Sequence, residues 1–180
     1  MNTINGIDRK LHKHNIDETI EAYKKLLDEI PLKIEEATVL DLLNRLKRGK
    51  MGSGPWSNVS IFEAANRIMS DLVILYGVKR IIDGDFPHLE IFKEFEVELG
   101  NENRKEHDII STVDDKRLIG EAFNVAPSFF NNKKNKMITK LIKSNPAADY
   151  MILLCNADSH EVTKSKIAHN VEIIKVDVKI

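Results

Sequence analysis

Residues 91–124, IFKEFEVELGNENRKEHDIISTVDDKRLIGEAFN, decide the fold. In Phe95-Glu96-Val97-Glu98-Leu99 apolar and acidic residues alternate strictly, which predicts a strand with one buried face. Gly100-Asn101-Glu102-Asn103 carries turn chemistry. Asp108 then opens a β-branched, apolar run to Val113, and Asp114-Asp115 marks a second turn. Leu118-Ile119-Gly120-Glu121-Ala122-Phe123 reads as a third strand, apolar except for one acid. Three consecutive strands joined by short turns predict a meander.

Glu121 is the informative residue. A carboxylate in the middle of a buried strand is costly unless a cation or hydrogen bonds neutralise it. Asp108 opens the preceding strand, so a meander can bring the two carboxylates together at one end of the sheet. That pairing suits a hard divalent cation such as Mg2+, with Mn2+ as a substitute. A plainer account is also open. Asp108 can be a turn residue, and Glu121 can form a structural ion pair with Lys116, Arg117 or a lysine of the next helix.

With those residues in view, the stretch resembles the PD-(D/E)xK nuclease core found in many type II restriction endonucleases. Asp108 matches the motif Asp, with His107 at the preceding variable position, Glu121 matches the motif acid, and Ala122 takes the x position. Phe123 departs from the pattern, because it stands where the family has Lys. The resemblance spans residues 58 to 178. It implies a metal site built from Asp108, Glu121 and the Ala122 carbonyl, and phosphodiester hydrolysis in double-stranded DNA. It also implies a homodimer, whose two-fold symmetry matches a palindromic site. The helix before the sheet often adds an acid in this family, and Glu63 is the matching position. For the missing lysine, Lys133 and Lys136 from the following helix are the first candidates, with Lys116 or Asn124 as others. A second metal-bound water, or loss of catalysis altogether, also accounts for Phe123.

Composition bounds these readings. The 180 residues are 42% hydrophobic and 31% charged, an ordinary folded balance that argues against disorder and against a membrane span. A net charge of −1 disfavours a basic nucleic-acid coat protein but leaves room for a locally basic cleft. The single cysteine, Cys155, excludes an internal disulfide, makes a thiolate zinc site improbable and fits a reducing cytoplasm. The N-terminal residues lack a signal-peptide layout, and cytoplasmic location is the expectation. No HExxH, Gly-x-Ser-x-Gly or dinucleotide-binding pattern occurs.

Upstream of the meander, Asp17 is expected to cap a helix over residues 18–30, ended by Pro31, and a second helix is expected over 35–47. Arg45, Lys47, Arg48 and Lys50 then run into the glycine-rich Gly49-Lys50-Met51-Gly52-Ser53-Gly54. They read either as a DNA-contacting arm or as a linker whose cations favour a helix C-terminus. Ser60 and Glu63 form a capping box opening a helix to about Tyr76, followed by a short extension over 78–82. His12 and His14 fall near an expected frayed terminus; His107 is expected to be exposed at a strand end, with contact to a scissile phosphate as the alternative.

Downstream, Ser128 is expected to cap a helix over 129–144. Its Lys133, Lys136, Lys140 and Lys143 recur at helical spacing, as either a solvated face or a phosphate-binding one with Lys140 contacting DNA. Tyr150–Cys155 reads as a central strand, 161–169 as a short helix or crossover, and 171–178 as a last strand. The expected architecture is α/β: a restriction-endonuclease-like core over 58–180, its mixed central sheet flanked by helices. Residues 1–57 form an N-terminal helical extension serving dimerisation or DNA contact. A catalytically silent nuclease fold that binds nucleic acid or a protein partner is the alternative function.

Overall fold

A computed structural model describes residues 4–33, 35, 38–100, 105–144, 147–159 and 170–179. Six strands form one mixed sheet in sequential order. They are β1 (Lys10–His12), β2 (Glu94–Val97), β3 (Ile109–Val113), β4 (Lys116–Phe123), β5 (Tyr150–Asn156) and β6 (Val171–Val176). The strands β1 to β4 pair antiparallel, whereas β5 joins β4 in parallel and β6 joins β5 in parallel. The helices are α1 (Ile16–Asp28), α2 (Val39–Arg48), α3 (Ile61–Ile82) and α4 (Phe130–Ser144).

The tight β3–β4 hairpin follows from Asp114, which takes a left-handed φ of 51° that an aspartate tolerates. Its register pairs Val113 with Lys116 and Ile109 with Gly120. Alternation then sorts β4 between two cores. Leu118 and Ala122 join the core under α1 and α3, while Ile119 and Phe123 join the one under α4. Helices therefore cover both faces of β4, which explains its near-continuous apolar run. Leu11, Tyr23 and Trp56 lie in the same core as α3 and the sheet, so β1, α1 and the segment at Trp56 share that interior, whereas α2 buries none of its residues.

Several boundaries depart from expectation. The helix beginning at Ile61 does not stop near Tyr76 but continues 22 residues to Ile82. Gly77, which mimics a stop signal, is instead a contact point: a Cβ there would lie 2.3 Å from Leu154 Cδ1. Its missing side chain lets α3 lie close on β5. His12 is not in a frayed terminus but in β1, where Leu11 pairs with Phe95. Asp17 lies inside the first turn of α1; Asn15 precedes the helix, and its Oδ1 accepts from His12 N. Helix α2 begins at Val39, with Thr38 Oγ1 accepting from Asp41 N, so it starts later than residue 35. Ser128 sits in a 3-10 turn, Pro127–Phe129, rather than at the cap of α4. The expected turn at 101–103 and crossover at 161–169 lie outside the described residues. Among the described residues no helix is long and apolar enough to cross a membrane.

Candidate active site

A cleft of about 850 Å³ opens where β3 begins and β4 ends, between the starts of α3 and α4. In open α/β sheets this is a favoured location, at the carboxyl end of a strand that pairs in parallel. Continuing the β3–β4 register by one residue sets Asp108 opposite Glu121, and both line the cleft. The Ala122 N–H donates to Asp108 Oδ2 at 2.8 Å, while Glu98 N donates to the Asp108 carbonyl at 2.9 Å. Within a strand, the N–H and C=O of one residue point toward the same neighbour. The Ala122 carbonyl is thus directed to the Asp108 side, beyond the first residue of β3.

Glu121 is only 2% exposed. Alternation with Ile119 and Phe123 turns it toward α4, where Lys140 Nζ lies 2.7 Å from Oε1 and 2.8 Å from Oε2. His107 Nδ1 lies 2.9 Å from the same Oε1, and Ser144 Oγ lies 3.1 Å from His107 Nε2. Ser144 also donates to the Lys140 carbonyl at 2.8 Å, closing the group onto α4. Lys140, Glu121, His107 and Ser144 therefore form one connected polar chain. Charge-assisted bonds of this kind make burial of Glu121 tolerable.

Asp108 has less compensation. Loss of solvent around the carboxyl, and after it the negative charge of Glu121, together raise its pKa from 3.8 to about 7 against the Ala122 N–H and Lys140. Asp71 of α3 joins the same wall of the cleft. It accepts from Tyr23 Oη at 2.6 Å and from Gly100 N at 2.9 Å on each oxygen. Burial lifts its pKa to about 7 although both hydrogen bonds oppose the rise. Gly100 makes this possible with a φ of +72°, where a Cβ would also press on Ile4. Glu98 is buried as well, because β2 ends at Val97 and the in–out alternation stops there.

The predicted site residues divide accordingly. Asp108, Glu121, Ala122, Glu63, Lys133, Lys140 and Lys47 line the cleft, as does Asn124. Lys136 is exposed and does not, nor do Arg45, Arg48, Lys50 and Lys116. The Glu63 backbone N–H donates the cap bond to Ser60 Oγ, while its carboxylate accepts from Arg67 at 2.6 Å. His107 is a correction: it is fully buried under Glu121 instead of exposed at a strand end. The ion-pair partner of Glu121 is a helix lysine, not Lys116 or Arg117. Phe123 is 2% exposed and packs on Phe130, with ring centroids 5.8 Å apart.

The cleft is asymmetric in charge. Three carboxylates, Asp71, Glu98 and Glu121, are buried along it with Asp108 half-buried beside them, and Lys140 pairs directly with one of the four. Among the described residues no three His, Cys, Asp or Glu side chains converge as a ready-made metal cage. Two carboxylates and a carbonyl, all oxygen donors, fit a cation that keeps several waters, as Mg2+ does, better than one needing a closed protein shell. Comparison with protein-family models, with curated proteins and with solved structures finds no significant match for this chain.

Proposed function

We propose that this chain is a Mg2+-dependent endodeoxyribonuclease with a restriction-endonuclease-like core, in which Lys140 takes over from the lysine that Phe123 displaces. The observation carrying this reading is the Lys140 ammonium, 2.7 Å from Glu121 and 41% exposed toward the cleft. A lysine side chain is long enough to occupy one functional position from a different backbone origin. The element order supports the reading too: a helix, an antiparallel meander bearing both acids, a helix, then a strand parallel to the last.

Asp108, Glu121 and the Ala122 carbonyl would hold the cation. Once bound, a divalent ion supplies an acidified water and charge neutralisation at the phosphate. The protein groups do the rest. Lys140 fixes the Glu121 carboxylate and offers positive charge to the developing phosphorane. His107, held by Ser144, fixes the other side of Glu121. Duplex DNA is the substrate, and a homodimer would present two such clefts to a palindromic site.

One observation favours the silent alternative. Both Glu121 oxygens are already bonded, one of them twice, so the group also works as a purely structural ion pair. Nicking of supercoiled plasmid with Mg2+ or Mn2+ separates the two readings, run beside Asp108→Asn and Lys140→Met. The nuclease reading expects metal-dependent nicking that falls by about 100-fold or more in each variant, the scale of losing one preorganised charge contact. Absence of nicking by the unaltered protein with either ion, or equal nicking by Asp108→Asn, overturns it.

A further inference from the structure

We propose that the cleft receives a single, unpaired DNA strand, with bases packed on Phe62 and Phe129. Of the seven phenylalanines, Phe92, Phe95, Phe123 and Phe130 are buried and Phe86 is half-buried beside Arg80. The remaining two, Phe62 at 47% and Phe129 at 64% exposure, both line this cleft. Leaving an aromatic ring in water forgoes the stabilisation its burial would give, on the order of 2 kcal/mol. Two such rings facing one groove call for an occupant with flat apolar faces.

The rings come from opposite walls. Phe62 belongs to the first turn of α3, and Phe129 ends the 3-10 turn that leads into α4. Cations accompany both walls: Lys47 Nζ lies 3.7 Å over the Phe62 ring, Arg67 follows on α3, and Lys133 lies one turn into α4. The half-buried Asp108 and the buried Glu121 lie at the sheet end of the same cleft. An exposed ring interleaved with lysine and arginine matches a backbone of phosphates carrying unstacked bases. A closed duplex offers only base edges and phosphates, so ring faces in a cleft find nothing to stack on. The duplex must therefore open locally for one strand to enter the cleft.

This inference rests on reading the cleft as a nucleic-acid site, but its test needs no cleavage. Fluorescence anisotropy would compare a labelled oligothymidylate of about 12 nucleotides, within the usual single-strand site range, with the same strand annealed to its complement. EDTA and fixed salt hold the other terms constant. The expected result is tighter binding of the single strand by about tenfold or more. Phe62→Ala and Phe129→Ala are each expected to weaken it by about 5- to 100-fold, the range for losing one base–aromatic stack, while Phe→Trp at either position keeps it. Both positions are exposed, and thermal melts serve to confirm that the variants fold. Equal or tighter duplex binding, or alanine variants that bind like the unaltered protein, overturns the inference. Phe-dependent strand binding without any metal-dependent nicking supports it while defeating the hydrolase reading. Nicking of duplex unaffected by either alanine does the reverse.

Discussion

Replacing Asp108 by asparagine should stabilise the protein at alkaline pH and do little in acid. The carboxyl pKa rises from 3.8 to about 7 because burial and Glu121 disfavour its charge. An acid whose folded pKa lies above its unfolded one destabilises the fold wherever both states are ionised. The cost is absent below pH 3.8, grows through the interval, and is complete above about pH 7. Three units at about 1.4 kcal/mol each set an upper bound of about 4 kcal/mol. Relaxation of protein and solvent around the charge reduces what is measured, to roughly 2–3 kcal/mol. Asparagine retains an amide oxygen to accept the Ala122 N–H, so that bond survives the change. For a chain of this size the gain corresponds to a rise in Tm of about 4–12 °C. Calorimetric or dichroism melts at about pH 8 and pH 4 read it directly. A Tm at pH 8 no higher than that of the unaltered protein, or a gain as large at pH 4, refutes the claim that Asp108 is a strained, undercompensated charge. Mg2+ gives a second readout. If the cation binds here, it should raise the Tm of the unaltered protein at pH 8 and leave Asp108→Asn unmoved.

Placing a lysine on β4 beside the acid, Phe123→Lys, should not put an ammonium into the cleft. The position is buried against Phe130 on the α4 side, so an ammonium there is expected to cost about 3–5 kcal/mol, visible as a lower denaturant midpoint. Equal stability would mean that the new side chain escapes to the cleft. Gly77→Ala should also destabilise, by about 1–3 kcal/mol, because its Cβ would lie 2.3 Å from Leu154 Cδ1. The Leu154→Ala background should shrink that penalty in a double-mutant cycle; strict additivity would show that another contact sets the spacing.

The strands were legible wherever one face differs from the other. Alternation located β2, and the apolar run of β5 announced a strand covered on both faces. β1 escaped because three residues, Lys10–His12, are too few to show a period, and its partner supplies most of its order. α3 was read short because Gly77 has the residue type of a helix end but is used for close packing. In the site, the cost of burying an acid pointed correctly to Glu121 as a residue needing partners. Which partners it would find was not legible. His107 lies between Glu106 and Asp108 in a polar stretch, with nothing local to mark it as buried. Asp71 carried a faint signal, one acid inside the apolar run Leu72–Leu75 and Ile68–Met69, and it was overlooked.

The lysines of α4 show where the limit lies. Lys133, Lys136, Lys140 and Lys143 all read as one polar face, since neighbours three and four apart share a side of a helix. The cleft takes Lys133, Met137 and Lys140, an i, i+4, i+7 stripe, and leaves Lys136 outside. A rotation of about 60° separates Lys136 from Lys133, given about 100° per residue. Which of them faces the cleft is set by Phe130, Met137, Ile138 and Leu141, which fill the core against β4 and β5. Lys140 meets Glu121 because those apolar contacts fix the roll of the helix, and because two turns, about 10 Å, carry Lys140 past Lys133 along the axis. The pairing depends on how a helix lies on its sheet, a property of the packed core rather than of the lysine spacing. A strand with no lysine of its own can therefore still have an ammonium from another element beside its acid.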